Sequence, residues 1–120
     1  MHERIRFITH EGKQILFVDV SASSADEVER IARIVPDSVM AQPRGSVRVL
    51  VDLTGASFDA AAIRTIKESA VFDKPYIKAS AWIGSEALST PFYEELKSFS
   101  RREFPAFKTR SAALEWIVKD

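Results

Sequence analysis

The chain has 120 residues, 46% of them hydrophobic and 28% charged, which is the size and composition of one globular domain. The 17 basic residues balance the 17 acidic ones, so no net charge draws the protein to nucleic acid or to anionic membranes. Cysteine is absent, which excludes disulfides and cysteine-ligated zinc, and no stretch has the roughly 18 apolar residues of a transmembrane helix. The charged start MHERIRF is unlike a signal peptide, so we expect one cytoplasmic domain over residues 1–120, with no transmembrane segment.

The first third of the chain predicts a hairpin followed by a helix. Residues 4–9 alternate in polarity and residues 14–20 are more continuously apolar, with Gly12 able to adopt the positive φ of a tight turn between them. Ser24 and Glu27 then fit a capping box that opens a helix over 24–41. A proline in a helix lacks the amide donor, so Pro36 is expected to kink or end this helix near Ile34.

The middle of the chain predicts two more strands around a second helix. Residues 46–54 alternate clearly, and Asp59 can cap a helix that the sequence DKP at 73–75 ends. The expected buried stripe of this second helix is Ala62, Ile63, Ile66 and Ala70. Residues 76–84 alternate again, and the face with Trp82 also carries Lys78 and Ser80. That face is therefore either core or an exposed apolar patch or pocket.

The last third predicts a helix, a short strand and a final helix. Thr90-Pro91 places proline at the first helical position, and Phe92, Leu96 and Phe99 form the expected apolar face. A short strand is expected around Phe107. Thr109 then caps a helix whose apolar residues are Ala113, Trp116 and Ile117.

These elements predict the order β-β-α-β-α-β-α-β-α, an α/β fold with mostly parallel strands and one antiparallel strand from the opening hairpin. With this chain length, the order resembles the STAS fold of the sporulation anti-anti-sigma factors, a mixed sheet of four to five strands with four helices. The stretches VRVLVDLTGASFDAAAI and FPAFKTRSAALEWI carry the likeness. More closely, Asp52-Leu53-Thr54-Gly55, Phe58 and Lys74-Pro75-Tyr76-Ile77-Lys78 are similar to stand-alone bacterial STAS-like proteins related in fold to CRAL-TRIO lipid-transfer domains.

The resemblance implies a regulatory module, but one signature of that role is missing. In regulatory STAS proteins a kinase phosphorylates a serine at the start of the second helix, where free backbone amides stabilise the phosphate. Here residues 60–62 are all alanine, so the matching positions have no acceptor oxygen. Ser57 and Thr54 are the neighbouring hydroxyls, which we expect to bond to backbone amides of the turn.

The sequence gives little support for a catalytic site, a metal site or a basic binding surface. His2 and His10 lie in the start and the hairpin turn, away from the ends of strands where a catalytic base would act. Three aspartates near strand ends are also possible magnesium ligands, but are better explained as turn and cap residues: Asp19, Asp52 and Asp59. The basic residues Lys97, Arg101, Arg102, Lys108 and Arg110 are expected to form a solvated face. We therefore expect no metal, no cofactor and no enzymatic activity.

The remaining hypothesis is a binding module. Ligands of open α/β sheets bind beyond the carboxyl ends of the strands. The predicted partner-binding or ligand-binding residues are Thr54, Gly55, Ser57, Asp59, Gly84, Ser85 and Trp82. The resemblance implies contact with a protein partner, and the alternative is a carrier or sensor of an apolar, lipid-like small molecule. A homodimer through an exposed strand or helix face is a further expectation.

Overall fold

The computed structural model describes residues 3–119 and contains one five-stranded sheet with helices on both faces. The strands are β1 (Ile5–His10), β2 (Lys13–Asp19), β3 (Val47–Asp52), β4 (Ile77–Ile83) and β5 (Ala106–Phe107). The helices are α1 (Ala25–Val39), α2 (Ala60–Asp73), α3 (Thr90–Ser100) and α4 (Arg110–Ile117), with short 3-10 turns at Lys74–Tyr76 and Ser85–Ala87. The predicted element order is confirmed.

The strands lie in the sheet in the order in which they occur in the chain. β1 pairs antiparallel with β2, and β2, β3, β4 and β5 pair in parallel. Right-handed crossovers between parallel strands in this order place every connecting helix on the same face. Accordingly α1, α2 and α3 pack in one hydrophobic core and α4 packs in a second core on the opposite face.

Alternation along β3 divides its side chains between these two cores. Val47 and Val49 lie in the core under α1, α2 and α3, whereas Leu50 lies in the core under α4. Asp52 lies on the same side as Leu50, because residues two apart in a strand share a face. The face of each strand residue therefore decides which group of helices it meets.

The predicted helix starts are confirmed, with one shift. Ser24 accepts a hydrogen bond from the amide of Glu27 at 3.2 Å, and Thr109 accepts one from the amide of Ala112 at 3.1 Å. α3, by contrast, begins at Thr90 after the cap residue Ser89, so Pro91 occupies the second helical position.

The first helix is confirmed over most of its predicted range, 24–41, and of the two outcomes expected at Pro36, a kink or an end near Ile34, the end does not occur. α1 continues through Pro36 to Val39, and the amide of Met40 donates to the carbonyl of Pro36 at 2.8 Å. Val35 and Val39, before and after the proline, are 7% and 0% exposed. Burial of these side chains compensates for the backbone hydrogen bond that proline cannot make.

The predicted apolar face of α3 is also mostly wrong. Leu96 is fully buried, but Phe92 is 37% exposed and Phe99 is 54% exposed. The buried side of the helix instead contains Ser100, whose hydroxyl donates to the carbonyl of Leu96 at 2.6 Å. Tyr93, whose hydroxyl donates to the carbonyl of Phe104, fixes this orientation. Hydrophobicity alone could not indicate it, because two of the inward residues are polar.

A bulge in the pairing of β3 with β4 alters the alternation predicted for β4. Val47 pairs with Ile77 but Arg48 pairs with Ala79, so Lys78 is the extra residue. Ile77 consequently packs against the same core as Trp82 instead of the opposite one. Trp82 itself is only 5% exposed, so its face of β4 is core and not an exposed patch.

Candidate functional site

Two of the loops at the carboxyl ends of the strands meet in van der Waals contact. The amide of Leu53 donates to the carbonyl of Ile83 at 2.8 Å, which joins the start of both loops. Gly84 then has φ +70°, and a Cβ atom on it would lie 2.5 Å from the Oγ1 atom of Thr54 and 2.7 Å from its Cα atom. Only glycine allows this approach. The predicted site residues Thr54 and Gly84 are thus brought together.

The loop after β3 and the first turn of α2, residues 54–61, form a surface that we call the rim. Its backbone is tied to the loop after β2, because Ala22 donates to the carbonyl of Thr54 at 2.8 Å and Ser57 donates to the carbonyl of Ser23 at 2.9 Å. The exposed residues of the rim are all small or short: Thr54, Gly55, Ser57, Asp59, Ala60 and Ala61. Ser85, also predicted for the site, follows Gly84 and is half-buried.

The first turn of α2 has no side-chain hydroxyl at the positions where the resemblance places a phosphoacceptor. Asp59 is the cap of this helix, as predicted, and its Oδ1 atom accepts a hydrogen bond from the amide of Ala62 at 2.8 Å. Ala60 and Ala61 present methyl groups at the surface. That Ser57 and Thr54 serve the turn and do not replace the missing phosphoacceptor stays a prediction.

Asp52 lies beneath the rim on the α4 face and is held by an ionic and hydrogen-bonded network. It is 4% exposed, and its Oδ1 atom accepts the amide of Thr54 at 3.0 Å. Its Oδ2 atom lies 3.0 Å from Nε and 2.9 Å from Nη2 of Arg110, whose guanidinium stacks over the ring of Phe17 at 4.7 Å. Burial would raise the pKa of Asp52, but the amide and hydroxyl of Thr54 and the charge of Arg110 together lower it.

The other two aspartates considered as magnesium ligands have partners of their own. Asp19 accepts the amide and the hydroxyl of Ser21 at 3.0 and 2.6 Å and lies 4.0 Å from Arg110. Asp59 is occupied by its helix cap. Across residues 3–119, no group of three histidines or carboxylates is placed to hold a metal ion.

A cavity of about 80 Å³ lies on the other face of the sheet, between the strands and α1 and α2. Its walls are mostly aliphatic, and Trp82 and Phe104, stacked at 4.5 Å, form the aromatic part. Trp82 therefore belongs to the cavity. It is not among the exposed residues of the rim, with which the sequence grouped it, although the rim's Phe58 also reaches the cavity wall.

One end of this cavity is polar, and we call Ser69, Asp73, Ser80 and Arg102 its polar end. Asp73 is 5% exposed, and its Oδ2 atom accepts the hydroxyl of Ser69 at 3.3 Å. Its Oδ1 atom is buried and receives no hydrogen bond from any group of residues 3–119. Burial raises the pKa of Asp73 to about 6, although the charge of Arg102 and the bond from Ser69 oppose that rise.

Arg102 was expected on a solvated basic face and is instead part of the core wall. Its Nη1 atom donates to the carbonyl of Ala70 at 2.9 Å and its Nη2 atom donates to the hydroxyl of Ser80 at 2.6 Å. Burial lowers the pKa of this guanidinium, and the charge of Asp73 opposes the change. The expectation of one basic face is wrong, because Arg102 faces the cavity and Arg110 pairs with Asp52.

The sequence did contain a weak signal for this polar end. Ser80 lies on the same strand face as Trp82, and Asp73 is the first residue of the sequence DKP that ends α2. Neither position indicates its distant partner. His10, the one histidine within residues 3–119, is the last residue of β1, before the hairpin turn, with Nε2 3.7 Å from the carboxylate of Glu11. His2 lies outside the described residues.

Comparison of the sequence with protein-family models and with curated proteins finds no match. Among solved structures, the chain is similar to an uncharacterised protein of the DUF3478 family with a SpoIIAA-like fold from Shewanella loihica PV-4. The TM-score is 0.66 at 20% identity, over 94% of this chain and 91% of that one. It is also similar to an anti-sigma-factor antagonist (STAS) domain protein from Planctomyces limnophilus, with a TM-score of 0.61 at 20% identity, over 96% and 98% of the two chains.

The fold is therefore STAS-like, as predicted from the element order. Within residues 3–119, no helix is long and apolar enough to cross a bilayer.

Proposed function

We propose that this protein is a non-enzymatic regulatory module that binds a protein partner through the rim. The STAS-like fold supports the regulatory role, since one solved structure with this fold is named as an anti-sigma-factor antagonist domain. The proposed contact residues are Thr54, Gly55, Ser57 and Asp59, with Gly84 and Ser85 beside them. The partner, the cytoplasmic location and a homodimeric state are parts of the same proposal.

The observation that supports this proposal is the structure of the rim, in which small exposed side chains stand on a fixed backbone. Its exposed side chains are all small or short, while its backbone is fixed by hydrogen bonds to the loop after β2 and by the contact of Thr54 with Gly84. A rigid surface without bulky exposed side chains lets a partner approach the backbone closely at little cost in conformational entropy.

The alanines at the start of α2 suggest that this recognition is constitutive. A hydroxyl there could receive a phosphate that the helix N-terminus stabilises, and the partner would sense the added charge. Methyl groups at Ala60 and Ala61 remove that option. We propose that binding is controlled by the abundance of the partner and not by modification of these positions.

A quantitative capture experiment tests the rim. The tagged protein should retain a reproducible partner from its native cells, and Ala61→Arg should reduce that capture at least about tenfold, because a large charged side chain would stand in the contact. Glu115→Arg changes an exposed residue of α4, on the other face of the sheet, and serves as the matched control. Equal capture by both variants, each folded by circular dichroism, would place the contact elsewhere.

The second candidate is carriage of an apolar small molecule, favoured by the cavity beside Trp82. Typical ligand pockets measure about 300–1,000 Å³, so a cavity of about 80 Å³ would admit a fatty acid only if α1 and α2 moved away from the sheet. Fluorescence of a Trp116→Phe variant, which retains only Trp82, would reveal such an opening as a saturable response to added fatty acid.

A further inference from the structure

We propose that the cavity under α1 and α2 is a binding site for a small neutral molecule that carries a hydroxyl group on a short apolar chain. The cavity meets the rim at Phe58, but the proposal does not depend on the partner-binding function proposed for the rim. Its walls supply apolar contact, and its polar end supplies a hydrogen-bond acceptor that the protein leaves unpaired.

The unpaired acceptor is the first argument. Oδ1 of Asp73 is buried and receives no hydrogen bond within residues 3–119, although the residue is only 5% exposed. A buried carboxylate oxygen without a donor is costly, and proteins rarely retain one without a compensating partner. Since Asp73 also lines the cavity, a molecule inside that cavity can donate to this atom.

The arrangement of charges selects a neutral occupant. Asp73 and Arg102 line the same cavity and their opposite charges already balance, yet no direct ion pair joins them within the described chain. A carboxylate guest would be repelled by Asp73, and an ammonium guest by Arg102. Either would leave a buried charge without compensation.

A hydroxyl group complements both sides of the polar end. It donates one hydrogen bond, which suits Asp73, and accepts others, which suits an arginine. Arg102 has five N–H donors, and the carbonyl of Ala70 and the hydroxyl of Ser80 account for two of its hydrogen bonds. One alcohol group can therefore lie between the carboxylate and the guanidinium.

The volume sets the length of the apolar chain. An engineered cavity of about 150 Å³ holds benzene, with six carbon atoms, so a cavity of about 80 Å³ holds a molecule of roughly three to five non-hydrogen atoms. Trp82 and Phe104 provide the apolar wall that such a chain would contact. An alcohol of matching size is 1-propanol, which serves as the probe.

The two tryptophans provide an internal reporter and its reference. Trp82 lines the cavity, whereas Trp116 is 36% exposed and packs against Phe107 on the opposite face. In a nitrogen-15 correlation spectrum each indole N–H gives its own signal. Titration with 1-propanol at about pH 7.5, where Asp73 is ionised, should shift the Trp82 signal along a saturating curve in the millimolar range, and the Trp116 signal only linearly.

Propionate and propylammonium, which match 1-propanol in size, test the preference for a neutral guest. Each should bind at least about tenfold more weakly than the alcohol. Asp73→Leu removes the acceptor and should lower the affinity for 1-propanol at least about tenfold. Glu68→Leu, at an exposed position of the same helix, is the control and should leave that affinity unchanged.

Three results would overturn the proposal. The first is a Trp82 signal that moves only linearly, as expected if ordered water occupies the cavity and no alcohol displaces it. The second is equal affinity for 1-propanol, propionate and propylammonium. This comparison uses the native sequence, so it remains valid even if Asp73→Leu does not fold. The third is an unchanged affinity in a folded Asp73→Leu protein.

Discussion

Asp52 and Asp73 are buried to the same degree on opposite faces of one sheet, and their surroundings differ in kind. Asp52 is 4% exposed and Asp73 is 5% exposed. Asp52 receives the amide of Thr54 and two nitrogens of Arg110. Asp73 receives one hydroxyl bond, from Ser69, and has an oxygen without any partner in the described chain.

The comparison shows that partners, not burial, decide whether a buried carboxylate stabilises this fold. Burial raises the pKa of both groups, but only for Asp52 do the bonds outweigh it and lower the pKa. Asp52 therefore adds stability that is lost as the pH falls through its folded pKa. Asp73 lowers the stability of the folded state once it is ionised. Asp52 holds the loop after β3 by its hydrogen bond with Thr54, and Asp73 retains an acceptor for the proposed ligand.

Removal of Asp52 should destabilise the fold more than any of the other substitutions. Asp52→Ala deletes the acceptor of the Thr54 amide and the partner of Arg110, so we expect a loss of about 3 kcal/mol in the free energy of unfolding. Urea unfolding followed by circular dichroism measures it. Asp26→Ala, at an exposed acid in the first turn of α1, is the control and should lose less than about 0.5 kcal/mol. Equal losses in the two variants would contradict the role assigned to Asp52.

Ionisation of Asp73 should make the free energy of unfolding fall with rising pH, which is opposite to the effect of Asp52. Its folded pKa of about 6 lies above the ordinary value of 3.8, so the folded state binds more protons between these values. The free energy of unfolding should then fall as the pH rises from about 4 to about 6, by on the order of 2 kcal/mol, and stay level above that range. Among residues 3–119, Arg102 is the one other titratable residue that lines this cavity.

The contribution of Asp73 is isolated by subtracting the profile of Asp73→Asn, which cannot titrate, from that of the native sequence. The difference cancels the opposite slope contributed by Asp52 and by other carboxylates. A difference that is flat between about pH 4 and 6, or that rises with pH, would show that Asp73 is paired in the folded protein.

The fold could be predicted from the sequence because local patterns determined it. Alternating strands, cap residues such as Ser24 and Asp59, and the proline after α2 all act within a few residues of each other. Local patterns did not determine two features that depend on packing between distant residues. α1 continues through Pro36 because the buried valines on both sides favour it, and α3 turns Ser100 inward and Phe99 outward.

The site could be predicted only in part for the same reason. The loops around Thr54 and Gly84 follow consecutive parallel strands, so their approach follows from the topology. The pairs formed by Asp52 with Arg110 and by Arg102 with Ser80 span 58 and 22 residues. No local pattern links residues at such separations, and a run of basic residues near the carboxyl end therefore looked like a solvated surface.

Arg110→Gln should have the smallest effect and would separate the two kinds of bond that hold Asp52. The Arg110 side chain is 50% exposed, so solvent weakens its ion pair, and we expect a loss of less than about 1 kcal/mol in the free energy of unfolding. The pKa of Asp52, followed by NMR of its carboxyl carbon, should rise but stay below the ordinary range, because the amide and hydroxyl of Thr54 remain. Arg33→Gln, which breaks an exposed pair with Glu29 on α1, is the matched control. A loss as large as that of Asp52→Ala would mean that the ion pair, and not the bonds from Thr54, compensates for the burial of this carboxylate.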